Sequence, residues 1–152
     1  MDNKTTLHIG AAGELLVQFK LLKYGIDSAR MTTDSGIDLV AYSPKDRRAY
    51  TIQVKTKEKP TGAGGTGKNA LGWFLSDNTP AQLIALVDLE SENVWLFEIE
   101  DFRKKAQQKS VKNIMQLYMY TEAPRKAKHE YAKVSDFHEY LIDKQIHKLI
   151  PQ

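Results

Sequence analysis

A few polar side chains in the first third of the chain have the types and spacing for hydrolytic chemistry. Glu14 and Asp38 are carboxylates in separate segments. Further along the chain, Gln53 and Lys55 are separated by a single residue. Carboxylate and amide oxygens bind hard divalent cations, and a nearby lysine can hold a water molecule or a phosphate oxygen. Such chemistry requires that the fold bring the four residues together.

Two predicted strands, 37–42 and 49–56, place three of these side chains in one patch. A turn-forming Ser-Pro-Lys-Asp sequence joins the strands into a hairpin, whose symmetric register pairs residues with numbers that sum to 91. The opposite face of the hairpin then pairs Asp38 with Gln53 and also holds Lys55. Strand stability requires no such cluster, so the patch indicates function. The core face pairs apolar residues: Ile37 with Val54, Leu39 with Ile52, and Ala41 with Tyr50.

Upstream of this hairpin, apolar residues at helical spacing predict a first helix over residues 7–24. Gly10 and Gly13 lie in one turn of it, although each glycine in a helix costs about 1 kcal/mol relative to alanine. The pair therefore predicts a close approach to another backbone. Glu14, at the edge of the apolar stripe, is then expected to lean over the sheet toward Asp38. The stripe expected to face the core comprises Ala12, Leu15, Leu16, Phe19 and Leu22.

The rest of the chain alternates between strands and helices, which predicts a single α/β domain over residues 1–152 with helices on one central sheet. The glycine-rich segment 59–72 is predicted to be a mobile loop. The last predicted helix, 135–150, has Ser135 as its N-cap. Strands are expected at 28–31, 73–76, 83–87, 94–99 and 114–120, with 83–87 and 94–99 forming a hairpin, and a short helix at 101–108.

Composition excludes several classes of protein. The 152 residues are 41% hydrophobic and include no cysteine, so disulfide frameworks, thiolate metal sites and cysteine nucleophiles are excluded. Because no apolar run is long enough to span a bilayer and the first residues do not resemble a leader peptide, we expect a cytoplasmic protein with no membrane contact.

Three short motifs together resemble the PD-(D/E)XK nuclease superfamily. They are Gly13-Glu14 on the first helix, Gly36-Ile37-Asp38-Leu39-Val40, and Gln53-Val54-Lys55. The resemblance covers about residues 7–57 and is closest to the Holliday-junction-resolvase and Mrr-type branches, with homing endonucleases of this fold also similar. The commoner family pattern has Asp or Glu at the position of Gln53. The resemblance implies a restriction-endonuclease-like core, a central mixed β-sheet flanked by helices.

The same resemblance implies a metal-dependent DNA endonuclease of the restriction, homing or junction-resolving type. It makes Asp38 the central metal ligand, with Gln53 binding through its side-chain oxygen and Val54 through its carbonyl. Glu14 becomes an additional acid and Lys55 the catalytic lysine. Mg²⁺ is the implied cation and Mn²⁺ a substitute, because all these donors are hard oxygens. Cutting both strands of a duplex with one site per chain predicts a homo-oligomer, a dimer or tetramer.

Charge distribution favours double-stranded DNA as the partner. The net charge is +3, yet residues 44–68 carry seven basic and two acidic residues, and residues 101–133 carry nine basic and three acidic ones. Basic clusters of this kind neutralise a phosphate backbone. The predicted DNA-binding residues are Lys57, Lys59, Lys68, Arg125, Lys126 and Lys128.

Two other functions fit parts of the sequence. The first is a nucleic-acid-binding module on the same fold, in which Gln53 has weakened or abolished cleavage. The second is nucleotide hydrolysis, because residues 62–68 match the first seven letters of a P-loop. However, Asn69 stands where Ser or Thr would bind Mg²⁺, and Gly72 and Pro80 leave little room for the helix that a P-loop enters. We therefore expect no nucleotide cofactor.

Overall fold

Three α-helices, nine strands and one 3₁₀ helix form the parts of the chain that the computed structural model describes, residues 3–63, 68–122 and 131–152. In chain order they are α1 (Thr6–Leu22), β1 (Asp27–Arg30), β2 (Leu39–Ser43), β3 (Arg48–Lys57), β4 (Thr61–Ala63), β5 (Lys68–Ser76), β6 (Leu83–Asp88), β7 (Asn93–Glu98), α2 (Ile99–Lys105), β8 (Gln108–Lys109), β9 (Ile114–Tyr120), the 3₁₀ helix (Val134–Tyr140) and α3 (Ile142–Leu149). No described helix has the length and apolar character needed to cross a bilayer.

The central sheet is mixed, as predicted, and has five strands in the order β1-β2-β3-β6-β7. Only the β3–β6 pair is parallel. All six residues of β6 are buried, as expected for a strand covered on both faces. The β2–β3 pair has the predicted register, with Leu39 opposite Ile52 and Ala41 opposite Tyr50. The predicted pairing of Ile37 with Val54 is wrong, because β2 begins only at Leu39 and Ile37 packs toward the other face of the sheet.

Helices α1 and α3 cover one face of this sheet. Helix α1 contributes Val17 and Leu21 to the core, together with Gly13 one turn earlier. A Cβ on Gly13 would collide with the Thr56 side chain, so the helix approaches β3 closely there, as predicted. Gly10 has open space around it, and the same expectation for that residue is wrong.

The apolar stripe predicted to face the core is also wrong in part. Leu15, Phe19 and Leu22 are 56%, 57% and 58% exposed. Apolar residues occur on more than one side of α1, and the close contact at Gly13 decides which side packs inward. The buried line Gly13, Val17 and Leu21 follows at spacings of four residues.

A second, antiparallel sheet covers the other face of the central sheet, and the sequence did not predict it. Its strand order is β4-β5-β9-β8. Strands β4 and β5 occupy much of the segment 59–72 that was expected to be a mobile loop. Gly72 lies opposite Tyr118, and a Cβ there would be 3.0 Å from the tyrosine ring, so this glycine serves packing. The shared core includes Leu71, Trp73, Leu75, Ile84, Leu86, Trp95, Phe97, Phe102, Met115, Leu117 and Met119.

The C-terminal segment forms two helices where one was predicted. The 3₁₀ helix ends before Leu141, whose φ and ψ of −54° and 140° are extended, and α3 follows. Leu141 forms an isolated β-bridge with Trp95 of β7, and this tertiary contact breaks the helix. Ser135 is not the N-cap, because it lies inside the 3₁₀ helix. The Asp136 carboxylate instead accepts a hydrogen bond of 2.8 Å from the backbone N–H of Lys133.

Candidate active site

Asp38 lies directly before β2, and both its backbone and its side chain are held by neighbouring strands. Its N–H donates to the Ile52 carbonyl at 2.9 Å, and its carbonyl accepts from the Met31 N–H at 2.9 Å. Its Oδ2 accepts a hydrogen bond of 2.7 Å from the backbone N–H of Val54. The carboxylate therefore lies against the edge of β3, where β2 has not yet begun.

This contact also orients the Val54 carbonyl. In a β-strand, the N–H and C=O of one residue point to the same side. Because the Val54 N–H points at Asp38, the Val54 carbonyl faces the same edge, beyond the start of β2 at Leu39. A carboxylate and a backbone carbonyl are thus brought to one place, which is the combination that the sequence resemblance implies.

Gln53 and Lys55 precede and follow Val54 in β3. Their side chains therefore project from the face of β3 opposite to the Val54 side chain. The Gln53 Oε1 accepts a hydrogen bond of 2.7 Å from the Thr79 hydroxyl, in the loop between β5 and β6. Lys55 is half-buried, and within residues 3–63, 68–122 and 131–152 its ammonium group has no hydrogen bond or ion pair. A half-buried cation with no anionic partner among the described residues is suited to contact an anionic substrate.

Glu14 reaches the same end of the hairpin through an arginine that the sequence analysis missed. Its Oε2 accepts a hydrogen bond of 2.8 Å from Arg30 Nε, and Arg30 pairs with Leu39, the neighbour of Asp38. The side chains of Glu14 and Arg30 are 20% and 48% exposed. The Glu14 carboxylate is thus paired with Arg30.

The donor set suits a hard cation. Within the described residues, no group of three His, Cys, Asp or Glu side chains is placed to hold a metal ion. The candidate donors here are of mixed type: two carboxylates, one amide oxygen and one carbonyl oxygen. Mg²⁺ keeps several waters and requires few protein ligands, so Asp38, Gln53 and the Val54 carbonyl fit its chemistry. Glu14 is a candidate additional carboxylate.

The predicted DNA-binding lysines have different surroundings. Lys57 Nζ lies 5.9 Å from the centre of the Phe74 ring, a cation–π contact. Lys59 lines a groove of about 430 Å³ beside the start of α1. Lys68 forms an ion pair of 3.5 Å with Glu122. Arg125, Lys126 and Lys128 lie outside the described residues.

The segment that resembles a P-loop lacks the required architecture. Gly62 lies in β4 and Lys68 is the first residue of β5. A P-loop runs from a strand into a helix, whose N-terminus holds the phosphates. Here the segment enters a strand, so the nucleotide-hydrolysis hypothesis loses its structural basis.

The solved structures that resemble this chain include the following two. The bacterial homing endonuclease I-Ssp6803I matches with a TM-score of 0.59 at 13% sequence identity, over 95% of this chain and 93% of that one. Hjc, a Holliday junction resolvase from the archaeal hyperthermophile Archaeoglobus fulgidus, matches with a TM-score of 0.48 at 17% identity, over 71% of this chain and 82% of its own. No protein-family model and no curated protein matches the chain.

The first of these comparisons identifies the class of fold. The chain has the fold of a homing endonuclease over nearly its whole length. The predicted α/β architecture with a nuclease-like, restriction-endonuclease-like core is therefore confirmed, and so is the resemblance to nucleases at the level of the fold.

Proposed function

We propose that this protein is a divalent-metal-dependent endonuclease that hydrolyses phosphodiester bonds in double-stranded DNA. The observation that carries the proposal is the Asp38 carboxylate held at 2.7 Å on the Val54 N–H, at the edge of the strand that presents Gln53 and Lys55. The nuclease-like fold supports it. Fold alone does not define chemistry, so the argument rests on these side chains.

Each residue has a distinct role in this proposal. Asp38, the Gln53 Oε1 and the Val54 carbonyl would hold Mg²⁺ or Mn²⁺, and Glu14 would add a second carboxylate, whose charge Arg30 balances. The bound cation supplies a more acidic water and a counter-charge for the phosphoryl oxygens. Lys55 holds the attacking water or a non-bridging phosphate oxygen as a point charge. Lys57, Lys59, Lys68, Arg125, Lys126 and Lys128 are proposed to contact the DNA backbone, which positions the duplex without reading its sequence.

The test of this function is nicking of supercoiled plasmid in the presence of Mg²⁺ or Mn²⁺. We expect metal-dependent nicking by the wild-type protein, and its loss in Asp38→Ala. Asp27→Asn is a matched control, because Asp27 is an exposed carboxylate at the far end of the β1–β2 pair. Nicking by Asp38→Ala at the wild-type rate, or equal loss in both variants, contradicts the proposal.

A second candidate function is DNA binding without cleavage. Gln53 is neutral, and Arg30 balances the charge of Glu14, so Asp38 is the one candidate ligand among these side chains with an unpaired negative charge. Weak cation binding would follow from that low charge. Tight DNA binding by wild-type protein with no nicking in Mg²⁺ or Mn²⁺ would favour this candidate.

Cleavage of both strands also leads us to propose a symmetric homo-oligomer, because each chain supplies one site. A dimer or tetramer is expected by sedimentation of the protein with and without duplex DNA. Comparing a four-way junction with a linear duplex as substrates separates the junction-resolving type from the others. Faster cleavage of the junction favours resolution, and faster cleavage of the linear duplex favours a restriction or homing role.

A further inference from the structure

We propose that Thr79 is a positioning residue, which fixes the carboxamide of Gln53 so that its oxygen is available to the divalent cation. This inference rests on the proposed function and adds to it a residue from a different part of the chain. Thr79 lies in the loop between β5 and β6, 26 positions from Gln53 in sequence. Its hydroxyl donates to the Gln53 Oε1 at 2.7 Å.

An amide ligand depends on a residue that fixes its orientation more than a carboxylate ligand does. The two oxygens of Asp or Glu are equivalent, so either orientation presents a lone pair to a cation. The Gln side chain presents an oxygen in one orientation and an NH₂ group in the other. A donor fixed beside Oε1 selects the orientation with the oxygen, and the carbonyl oxygen keeps a second lone pair for the cation.

The Thr79 hydroxyl is itself held in place. It accepts a hydrogen bond of 3.3 Å from the Ala81 N–H while it donates its own proton to the Gln53 Oε1. The Thr79 N–H donates to the Ser76 carbonyl at 3.2 Å, which closes the turn. Both contacts order the threonine in the protein as it stands, before any cation binds.

The neighbouring residue of the loop contacts the segment that leads to Asp38. Gly36 has a φ of +84°, and a Cβ there would lie 2.9 Å from Pro80 Cδ. This loop thus contacts both halves of the candidate site. Thr79 contacts Gln53, and Pro80 contacts Gly36, which lies two positions before Asp38. Asp77, at the start of this loop, also holds it in place. Its carboxylate accepts a hydrogen bond of 2.8 Å from Arg103 of α2 and forms an ion pair with Lys109 of β8.

The experiment measures Mn²⁺ affinity of metal-free protein by titration calorimetry. Thr79→Val keeps the side-chain shape and removes the hydroxyl, and we expect its affinity to fall about tenfold, as for other residues that orient a metal ligand. Thr79→Ser keeps the hydroxyl and is expected to bind within about twofold of wild type. Thr79→Ala repeats the removal should the valine variant fail to fold.

A second arm tests whether Thr79 acts through Gln53. In a Gln53→Ala background, Thr79→Val should cause no further loss of Mn²⁺ affinity, because the amide it orients is absent. In the metal-free protein, the Gln53 side-chain NH₂ resonances should shift in Thr79→Val and stay near their wild-type positions in Thr79→Ser. A loss of equal size in both backgrounds overturns the inference, because it would mean that Thr79 acts through the backbone.

The outcomes separate this inference from the proposed function. Wild-type affinity in Thr79→Val, beside Mn²⁺ binding that Asp38→Ala abolishes, overturns the role of Thr79 and leaves the proposed function standing. Absence of Asp38-dependent Mn²⁺ binding in the wild-type protein overturns both.

Discussion

At the scale of single residues, the Asp38 carboxylate is held by a backbone N–H and not by a basic side chain. Val54 N–H occupies one lone pair of Oδ2, which leaves the negative charge of Asp38 without a cationic partner in the described structure. Glu14 differs, because Arg30 balances its charge. The two carboxylates are therefore unequal, and Asp38 is the one that a divalent cation can neutralise.

Lys55 provides a prediction at this scale. Lys55→Met removes the charge that we propose contacts the scissile phosphate, and it keeps most of the apolar length of the side chain. We expect cleavage to fall by about 10²- to 10³-fold, the usual effect of removing one donor to a charged transition state. The measurement is the single-turnover cleavage rate at saturating Mg²⁺. Lys148→Met, on the exposed side of α3, is the control.

For this variant, binding of Mn²⁺ should stay within about twofold of wild type, because the lysine is not a ligand in the proposed site. A cleavage rate near that of wild type would remove Lys55 from the reaction. Equal losses of rate in Lys55→Met and Lys148→Met would point to a nonspecific effect of charge on DNA binding.

At the scale of elements, the hairpin of β2 and β3 and the close approach of α1 position the site. Gly13 lets α1 lie directly on Thr56 of β3, and Glu14 follows it at the edge of that contact. The contact at Gly13 thus fixes the position of α1 immediately before Glu14, a candidate site residue. Changes in this packing should displace Glu14.

Two glycine substitutions in α1 test the contact. Gly13→Ala is expected to lower the free energy of unfolding by about 1–3 kcal/mol, because the added methyl group collides with Thr56. Gly10→Ala is the matched control, and it should raise the free energy of unfolding by up to about 1 kcal/mol, since its surroundings are open and alanine favours helix. Urea unfolding monitored by far-ultraviolet circular dichroism gives both values. Similar effects of the two substitutions would show that α1 does not approach β3 as described.

The sequence predicted those elements that local signals define. The turn after β2 and the alternation of apolar residues fixed the register of Leu39 with Ile52, and this register placed Gln53 and Lys55 on one side of β3. The second sheet was missed because glycine-rich composition favoured a loop over residues 59–72, whereas residues 61–63 and 68–72 lie in strands that pack across the sheet, as Gly72 does on Tyr118. Leu141 breaks the last helix through a bridge to Trp95, which no local signal announces.

The supporting residues of the site were beyond sequence analysis for a similar reason. Arg30 is 16 positions from Glu14, and Thr79 is 26 positions from Gln53. Neither pair follows from the periodicity of one element. Each depends on how the edge strand β1 and the β5–β6 loop pack against the central hairpin, and packing between distant segments is decided by the whole fold.

At the scale of the whole molecule, one carboxylate joins the loop of the candidate site to the second sheet and to α2. Asp77 bonds Lys109 of β8 and Arg103 of α2, and Arg103 also donates to the Asp77 carbonyl at 2.9 Å. The hydrogen bonds from Lys109 and from Arg103 lower the pKa of Asp77 below its ordinary value of 3.8. The charged carboxylate therefore stabilises the folded state.

The lowered pKa of Asp77 predicts a pH-dependent stability. A carboxyl whose pKa is lower in the folded state contributes stability above its ordinary pKa of 3.8, and that contribution is lost as the pH falls through the lower folded value. Asp77→Asn should therefore lower the Tm at neutral pH, and its difference from wild type should shrink in acid. Differential scanning calorimetry across this range is the measurement, with Asp27→Asn as the control. A Tm difference that stays constant below the ordinary carboxyl pKa would contradict the assignment.

Asp38, Gln53 and the Val54 carbonyl are proposed to form one cation site. Anomalous diffraction from crystals grown with Mn²⁺ tests it most directly, because the metal position is read without reference to activity. We predict a single strong peak within coordination distance of the Asp38 carboxylate and of the Val54 carbonyl, and a weaker or absent peak in Asp38→Ala crystals. A strong Mn²⁺ peak elsewhere, with none beside Asp38, would contradict it.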